Sequence, residues 1–142
     1  RLVWLGDGKF KEDMQCLAKE LELTVEFKGN VSSDKVHASI EQSDMFILVS
    51  RTEGLPRAIV EAMAHGIPCV GSRVGGIPEL LDDGALVDKE NPIQLADLIE
   101  KFINDPGFYN NQATRNLNEA SFYREDKLDA LRNTFFSYIK QQ

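Results

Sequence analysis

The chain has 142 residues, a hydrophobic fraction of 42% and a formal net charge of −7, which is enough chain for one domain with an ordinary core. The negative charge argues against non-specific nucleic-acid binding, which needs basic surface to neutralise phosphates. No apolar run approaches the roughly 20 residues that span a bilayer, and no signal peptide is visible. The two cysteines make no metal or redox pattern, so we expect a reduced, cytoplasmic protein.

Short apolar runs alternate with longer helical patterns from the first residues onward, as in βαβ units on a parallel sheet. Five segments are apolar almost throughout, as strands buried on both faces are. These predicted strands are Leu2–Leu5, Thr24–Lys28, Met45–Val49, Cys69–Gly71 and Ala85–Val87. The predicted helices between them are Lys9–Leu21, Asp34–Gln42, Pro56–His65 and a short turn at Ile77–Leu81.

Proline and glycine mark several helix boundaries. Pro56 suits the first helical position, where its missing N–H costs nothing. Gly66 suits a left-handed stop after His65. Asn91-Pro92 predicts a capped helix that runs to about Asn104.

Beyond Asp105-Pro106 the pattern is helical throughout. Apolar residues recur there at three- and four-residue steps, at Leu128, Leu131, Phe135 and Tyr138. Such a stripe packs on its own domain or docks onto a domain that these residues do not include. Because the chain begins at Arg1 inside an apolar run, we expect it to be an excised part of a longer protein.

The segment from Ser50 to Gly66 combines the features of a ligand site. It follows a predicted buried strand and opens a helix, and loops at the carboxyl ends of parallel strands bind ligands in α/β sheets. Unpaired amides and a partial positive charge make a helix N-terminus a phosphate site, and Gly54 allows close approach of the backbone. Glu53 and Glu61 could accept hydrogen bonds from sugar hydroxyls. Alternatively, Glu61 forms an ordinary surface pair with Arg57 one helical turn earlier.

Several ordered motifs resemble those of the retaining family 4 glycosyltransferases, which have the two-domain GT-B fold. The central motif is two glutamates separated by seven residues, here Glu53 and Glu61. Around it the chain carries Gly6-Asp7-Gly8, Phe27-Lys28-Gly29-Asn30-Val31, Ser43–Ser50, Glu61-Ala62-Met63-Ala64, Gly66-Ile67-Pro68-Cys69-Val70 and Val74-Gly75-Gly76-Ile77-Pro78-Glu79. The resemblance covers residues 1 to about 104 and is looser over the helical tail.

The resemblance implies a single C-terminal donor-binding domain over residues 1–142 that lacks its first βα unit. It consists of an α/β core over 1–104, a Rossmann-like parallel sheet with helices on both faces, and C-terminal helices over 105–142. If the family order holds, the missing strand would lie between the strand at Leu2 and the strand at Met45. A five-stranded sheet built from this chain would then have a gap, close over it, or borrow a strand.

The resemblance also implies roles for particular residues. Glu53 would contact the donor sugar at the reacting carbon and act as the catalytic residue, and Glu61 would hold the ribose. The backbone of Gly54 and Leu55 would approach the sugar or diphosphate, and Gly29 with Asn30 would border the base. These assignments imply a nucleoside diphosphate sugar as donor, no metal and no cofactor.

The acceptor implied by the resemblance is a glycan or a lipid-linked molecule, held by an N-terminal domain upstream of these residues. The parent protein would be cytoplasmic, and peripheral association with the inner face of the membrane is left open. The arginine and lysine that hold the diphosphate in the family would also lie upstream. Within the chain, Pro56 removes one amide that could face phosphate, and the segment Asp82–Ala85 is shorter than the usual loop of the family.

Other functions have weaker support. Gly6-Asp7-Gly8 is half of a dinucleotide fingerprint, His37 and His65 have no partners at metal-site spacing, and Arg73 reads as a solvated loop residue or a phosphate ligand. A sugar-nucleotide epimerase of GT-B fold, a glycoside hydrolase with two carboxylates and a non-catalytic nucleotide-sugar-binding module stay open as alternatives.

Overall fold

The computed structural model describes residues 1–140 and consists of parallel strands alternating with helices. The strands are β1 (Leu2–Leu5), β2 (Val25–Gly29), β3 (Phe46–Leu48), β4 (Cys69–Ser72) and β5 (Leu86–Val87). The helices are α1 (Lys11–Glu20), α2 (Ser33–Glu41), α3 (Arg57–Ala64), α4 (Ile77–Leu80), α5 (Pro92–Asn104), α6 (Pro106–Ala120) and α7 (Glu125–Ile139). The predicted α/β class is therefore confirmed, and each predicted strand and helix overlaps an observed one.

The five strands form two parallel sheets, one of order β1-β2 and one of order β3-β4-β5. All five predicted strands are present and parallel, but among residues 1–140 they do not pair as one continuous sheet. Backbone pairing holds a sheet together, and β1 pairs with β2 alone while β3 pairs with β4 alone, so each has one unpaired edge. Of the three predicted outcomes, closure of the sheet over the missing strand is therefore wrong, because β1 does not pair with β3 in the described chain.

The described chain also divides into two compact units, Arg1–Ser39 and Ile40–Gln142. The first contains the β1-β2 sheet, where the rings of Trp4 and Phe27 lie 6.0 Å apart on neighbouring strands. The second contains the three-stranded sheet and the helices that follow it. The division of the chain into a core over 1–104 and a helical part over 105–142 stays a prediction.

Helices pack on both faces of β4 in the second unit. Val70 joins Val87 and Phe102 in a buried cluster against helix α5, with Leu95 and Leu98 beside it. The next residue points the other way, as in any strand. There Gly71 has no side chain, and a Cβ would lie 2.5 Å from Ile77 of helix α4. This glycine therefore allows α4 to pack directly on the strand.

The predicted helix boundaries are confirmed where capping fixed them. The side chain of Asn91 accepts a hydrogen bond from the amide of Gln94, with Pro92 in the first turn. Gly66 has a φ of 68°, the left-handed conformation that ends α3. Helix α3 begins at Arg57, one residue later than predicted, so Pro56 is the extended residue before the helix and not its first residue.

Helix α6 packs against the rest of the second unit through polar side chains, which the sequence pattern did not indicate. Asn116 is fully buried and donates to the carbonyl of Ile67 at 2.9 Å. Gln112 donates to the carboxylate of Asp82 at 2.9 Å and 3.2 Å. These bonds satisfy the side-chain N–H groups that burial would otherwise penalise, while Oε1 of Gln112 is buried with no partner in the described chain. They fix the helix against the loops that follow α3 and α4.

The stripe on helix α7 does not pack on its own domain in the part of the chain that the structure describes. Leu131 is 66% exposed, Phe135 58% and Tyr138 63%, and only Leu128 is half-buried. The docking of this stripe onto another domain stays a prediction. Among residues 1–140, no helix is long and apolar enough to cross a bilayer.

Cys69 is a core residue at the start of β4. Burial raises the pKa of its thiol to about 12, and the thiol lies 3.3 Å from the carbonyl oxygen of Ile67. A thiol with so high a pKa is protonated at neutral pH and unreactive.

Candidate functional site

The loop between β3 and α3 begins with a fixed backbone. Ser72, at the end of β4, is only 1% exposed. Its hydroxyl donates to the carbonyl of Ser50 at 2.8 Å and accepts from the amide of Ser50, also at 2.8 Å. Because one side chain satisfies both backbone groups of Ser50, the first turn of the loop is tied to the neighbouring strand.

Glu53 lies three residues further along this loop and is half-buried. The hydroxyl of Ser50 donates to Oε1 of Glu53 at 2.7 Å. Within residues 1–140, Oε2 of the same carboxylate accepts no protein hydrogen bond, so it is available to a ligand. The loop thus presents an oriented carboxylate at the carboxyl end of the sheet.

A second loop supports the backbone of Glu53 and Gly54. The amide of Gly76 donates to the carbonyl of Gly54 at 2.7 Å. A Cβ on Gly75 would lie 1.9 Å from the carbonyl oxygen of Glu53, and the φ of Gly75 is 53°. A Cβ on Gly76 would lie 2.8 Å from the carbonyl oxygen of Gly54. Only glycines permit this close approach of the two loops.

Substitution of Gly75 tests whether the second loop supports the backbone of Glu53 and Gly54. Gly75→Ala should lower the free energy of unfolding by about 2–4 kcal/mol, because it adds left-handed strain and a clash with backbone. Gly54→Ala is the matched control, since a Cβ there meets nothing within 4 Å, and should change stability by less than about 0.5 kcal/mol. Urea unfolding of both variants measures the difference. Equal stability of Gly75→Ala and the unsubstituted chain would contradict this account of the loop.

Helix α3 opens directly after the loop. Leu55 is 47% exposed, and Pro56 is buried at the position before the helix. The first amides of a helix lack partners within it, so this end favours an anion. Glu61 is half-buried in α3, and among the described residues it forms no ion pair with Arg57, so the surface-pair alternative is wrong.

The remaining predicted site residues belong to the first unit. Gly29 ends β2 with a φ of 62° and is buried, and its carbonyl accepts a hydrogen bond from the amide of Gly6 at 2.9 Å. Asn30 follows it and is exposed. Glu53, Gly54, Leu55 and Glu61 thus share one loop and helix, whereas Gly29 and Asn30 form a separate turn.

The charges around the loop are largely paired. Nε of Arg51 lies 2.8 Å from Oε1 of Glu90. Nη1 of Arg73 lies 2.6 Å from Oδ1 of Asp83, so Arg73 is an ion-paired loop residue. Among residues 1–140, no group of three or more His, Cys, Asp or Glu side chains could hold a metal ion.

Four residues that position the loop had no predicted role: Ser50, Ser72, Gly75 and Gly76. Gly75 and Gly76 are adjacent in one of the motifs that resemble the family, and Ser50 ends another. These places in the motifs were the available sequence signals. Nothing in the sequence distinguished Ser72, because its partner is 22 residues away.

The same loop forms one wall of a shallow depression of about 240 Å³ in the second unit. Its other walls come from the end of β5 and the start of α5. The lining residues are Val49, Ser50, Arg51, Val87, Asp88, Glu90, Asn91, Pro92 and Leu95. Concave sites at the carboxyl ends of parallel strands are where such sheets bind ligands.

Parallel strands alternating with helices define a Rossmann-like α/β fold. The family model for glycosyl transferases group 1 matches residues 1–120. The chain therefore belongs to this family.

The relatives of the chain are much longer than it is. N-acetyl-alpha-D-glucosaminyl L-malate synthase of Bacillus anthracis is 33% identical over 120 residues, which are 81% of this chain and 31% of that protein. Sulfoquinovosyl transferase SQD2 of Arabidopsis thaliana is 32% identical over 83 residues, 58% of this chain and 16% of that protein. The chain thus spans less than a third of the length of either relative.

The fold is also found in solved structures. The Anabaena protein Alr3699/HepE, crystallised in complex with UDP-glucose, matches with a TM-score of 0.82 at 23% identity, over 99% of this chain and 40% of that one. This match confirms the fold as that of one half of a GT-B protein.

Proposed function

We propose that this chain is the C-terminal donor-binding part of a longer glycosyltransferase. The enzyme moves a sugar from a nucleoside diphosphate sugar to an acceptor with retention at the anomeric carbon, as a member of family 4. One observation carries the proposal. Glu53 is oriented in a loop braced by glycines, directly ahead of the helix that bears Glu61.

Each predicted residue has a role in this proposal. Oε2 of Glu53 contacts the donor sugar at the reacting carbon, while Glu61 accepts hydrogen bonds from the ribose hydroxyls. The backbone of Gly54 and Leu55 approaches the sugar or the diphosphate, with open space where a side chain on Gly54 would be. Gly29 and Asn30 border the base.

Catalysis in this proposal consists of positioning the reactants and stabilising the departing diphosphate. The N-terminal amides of α3 contribute to that stabilisation, together with basic side chains of an upstream segment. The chemistry requires no metal ion.

The donor and acceptor classes rest on the relatives. Alr3699/HepE is described as a complex with UDP-glucose, which supports a nucleoside diphosphate sugar as donor here. We place the acceptor, a glycan or a lipid-linked molecule, in an N-terminal domain that the longer relatives have room for. We place the enzyme in the cytoplasm, with contact to the inner face of the membrane where the acceptor is a lipid.

The test is an assay of the full-length parent with a panel of nucleotide sugars and glycan or lipid acceptors. We expect release of nucleoside diphosphate together with a glycosylated acceptor. Proton NMR of the product should show the anomeric configuration of the donor. Inversion would contradict family 4 membership, and epimerised nucleotide sugar without acceptor would contradict transfer.

A further inference from the structure

The bond between Ser50 and Glu53 differs from that of Ser43, the other half-buried serine in the described part of the second unit. The hydroxyl of Ser43 donates to the backbone carbonyl of Ile40 at 2.7 Å, which is an ordinary turn bond. The hydroxyl of Ser50 instead donates to the side chain of Glu53 at 2.7 Å. Its single proton is therefore donated to a carboxylate and not to a backbone carbonyl.

Ser50 is itself held from a second element. Both of its backbone polar groups are bound by the hydroxyl of Ser72, which is buried at the end of β4. Ser72, on the central strand of the sheet, thus fixes the backbone of Ser50, and the hydroxyl of Ser50 in turn binds Oε1 of Glu53. Because these bonds are partly buried, they favour one geometry of the loop.

A glutamate side chain has several rotatable bonds, so a carboxylate on a loop samples many positions unless something selects one. The backbone of Glu53 is fixed by Gly75 and Gly76. The bond from Ser50 then fixes the far end of the side chain and leaves Oε2 available.

We propose that Ser50 is a positioning residue that orients the carboxylate of Glu53 toward the donor sugar, with Ser72 holding Ser50 in place. This proposal rests on the proposed function, in which Glu53 acts at the reacting carbon. Because reactivity is sensitive to misplacement of a catalytic group by about 1 Å, the effect of Ser50 should fall on turnover. Binding of the nucleoside diphosphate should not depend on it.

The experiment compares variants of the full-length parent. Ser50→Ala removes the donor, Ser50→Thr keeps it, and Ser43→Ala removes a hydroxyl of similar burial that does not contact Glu53. We expect Ser50→Ala to lower kcat about tenfold, as loss of a hydrogen bond to a charged group would, with the Kd of nucleoside diphosphate changed less than about twofold. Ser50→Thr should retain most of the kcat, and Ser43→Ala should retain all of it.

Two further measurements make the result specific. In a Glu53→Ala background, Ser50→Ala should lower kcat no further, because a residue that acts through another is silent in its absence. By calorimetry, Ser50→Ala should reduce the gain in affinity that the sugar adds over nucleoside diphosphate alone. Thermal unfolding of each variant identifies any that fails to fold. If Ser50→Ala does not fold, the kcat of Ser50→Thr tests the proposal in its place.

Several outcomes would overturn the positioning role. They are an additive effect in the double variant, equal losses in Ser50→Ala and Ser50→Thr, or an equal loss in Ser43→Ala. If the parent binds sugar nucleotides without transferring sugar, the proposed function fails, while the calorimetric effect of Ser50→Ala still supports the orientation of Glu53. If Ser50→Ala changes neither kcat nor the affinity that the sugar adds, the positioning role falls even where the parent transfers sugar.

Discussion

Replacing Glu61 by alanine in the full-length parent should weaken the binding of a free nucleoside diphosphate by about 1.5–3 kcal/mol, roughly ten- to a hundredfold in Kd. Glu61 is half-buried in α3 and forms no ion pair in the described chain, so its carboxylate is free to accept two hydrogen bonds from a vicinal diol. Calorimetric titration measures the change. Glu100→Ala is a matched control, because Glu100 is an exposed helical glutamate of the same unit.

The same titration should separate Glu61 from Glu53. We expect Glu53→Ala to leave the affinity for nucleoside diphosphate nearly unchanged while it lowers the rate of transfer. A free nucleoside diphosphate lacks the donor sugar, so a residue that contacts only the donor sugar cannot contribute to the binding of the nucleoside diphosphate. Equal losses of diphosphate affinity in the two variants would contradict the assigned roles.

Much of the fold could be predicted because local signals determined it. Gly66 ends α3 in the left-handed conformation, and Asn91-Pro92 starts α5, as the capping residues indicated. The alternation of apolar and helical segments gave the order of elements. Strand ends shifted by at most one residue because the apolar run of a strand does not reveal where its pairing stops.

What the sequence could not reveal depends on contacts between distant segments. Strand pairing into two sheets is set by which edges meet, not by the pattern within a strand. Nothing in the sequence marks Gln112 and Asn116 for burial, and they are buried because specific partners accept their hydrogen bonds. On α7 the apolar stripe predicted burial that the described chain does not provide.

The candidate site shows the same division. The two glutamates and Gly54 stand out in the sequence because a recognisable motif contains them. The geometry that makes Glu53 usable comes from Ser72, 22 residues beyond Ser50, and from Gly75, whose φ and close contact are visible only in three dimensions. A motif therefore identifies the residues that face a ligand more readily than those that hold them.

Residues 1–142 by themselves should not transfer sugar. The described residues supply one face of a donor site, made of the loop with Glu53 and the helix with Glu61. Transfer also requires an acceptor held in line with the donor, and such positioning contributes about 7–11 kcal/mol to the barrier reduction in well-oriented reactions. The relatives are more than three times as long as the stretch that they share with this chain, which leaves room in them for an acceptor domain.

Stabilisation of the leaving diphosphate is also incomplete in this chain. Arg51 and Arg73, the arginines on either side of the site, each lie within 2.8 Å of a carboxylate oxygen. An ion-paired arginine has less charge to offer a departing anion. Apart from Arg57, the exposed first residue of α3, only the amides at the start of that helix then face the diphosphate, and Pro56 contributes none of them.

We therefore expect the purified chain to bind nucleotides weakly, with a Kd on the order of 1 mM, since few contacts must offset the cost of association. Incubation with nucleotide sugars and a panel of lipid and glycan acceptors should give no product above the level without protein. The full-length parent under the same conditions is the positive control. Robust transfer by residues 1–142 that disappears in Glu53→Ala would show that this unit holds both donor and acceptor, and the proposed division of roles between two domains would be wrong.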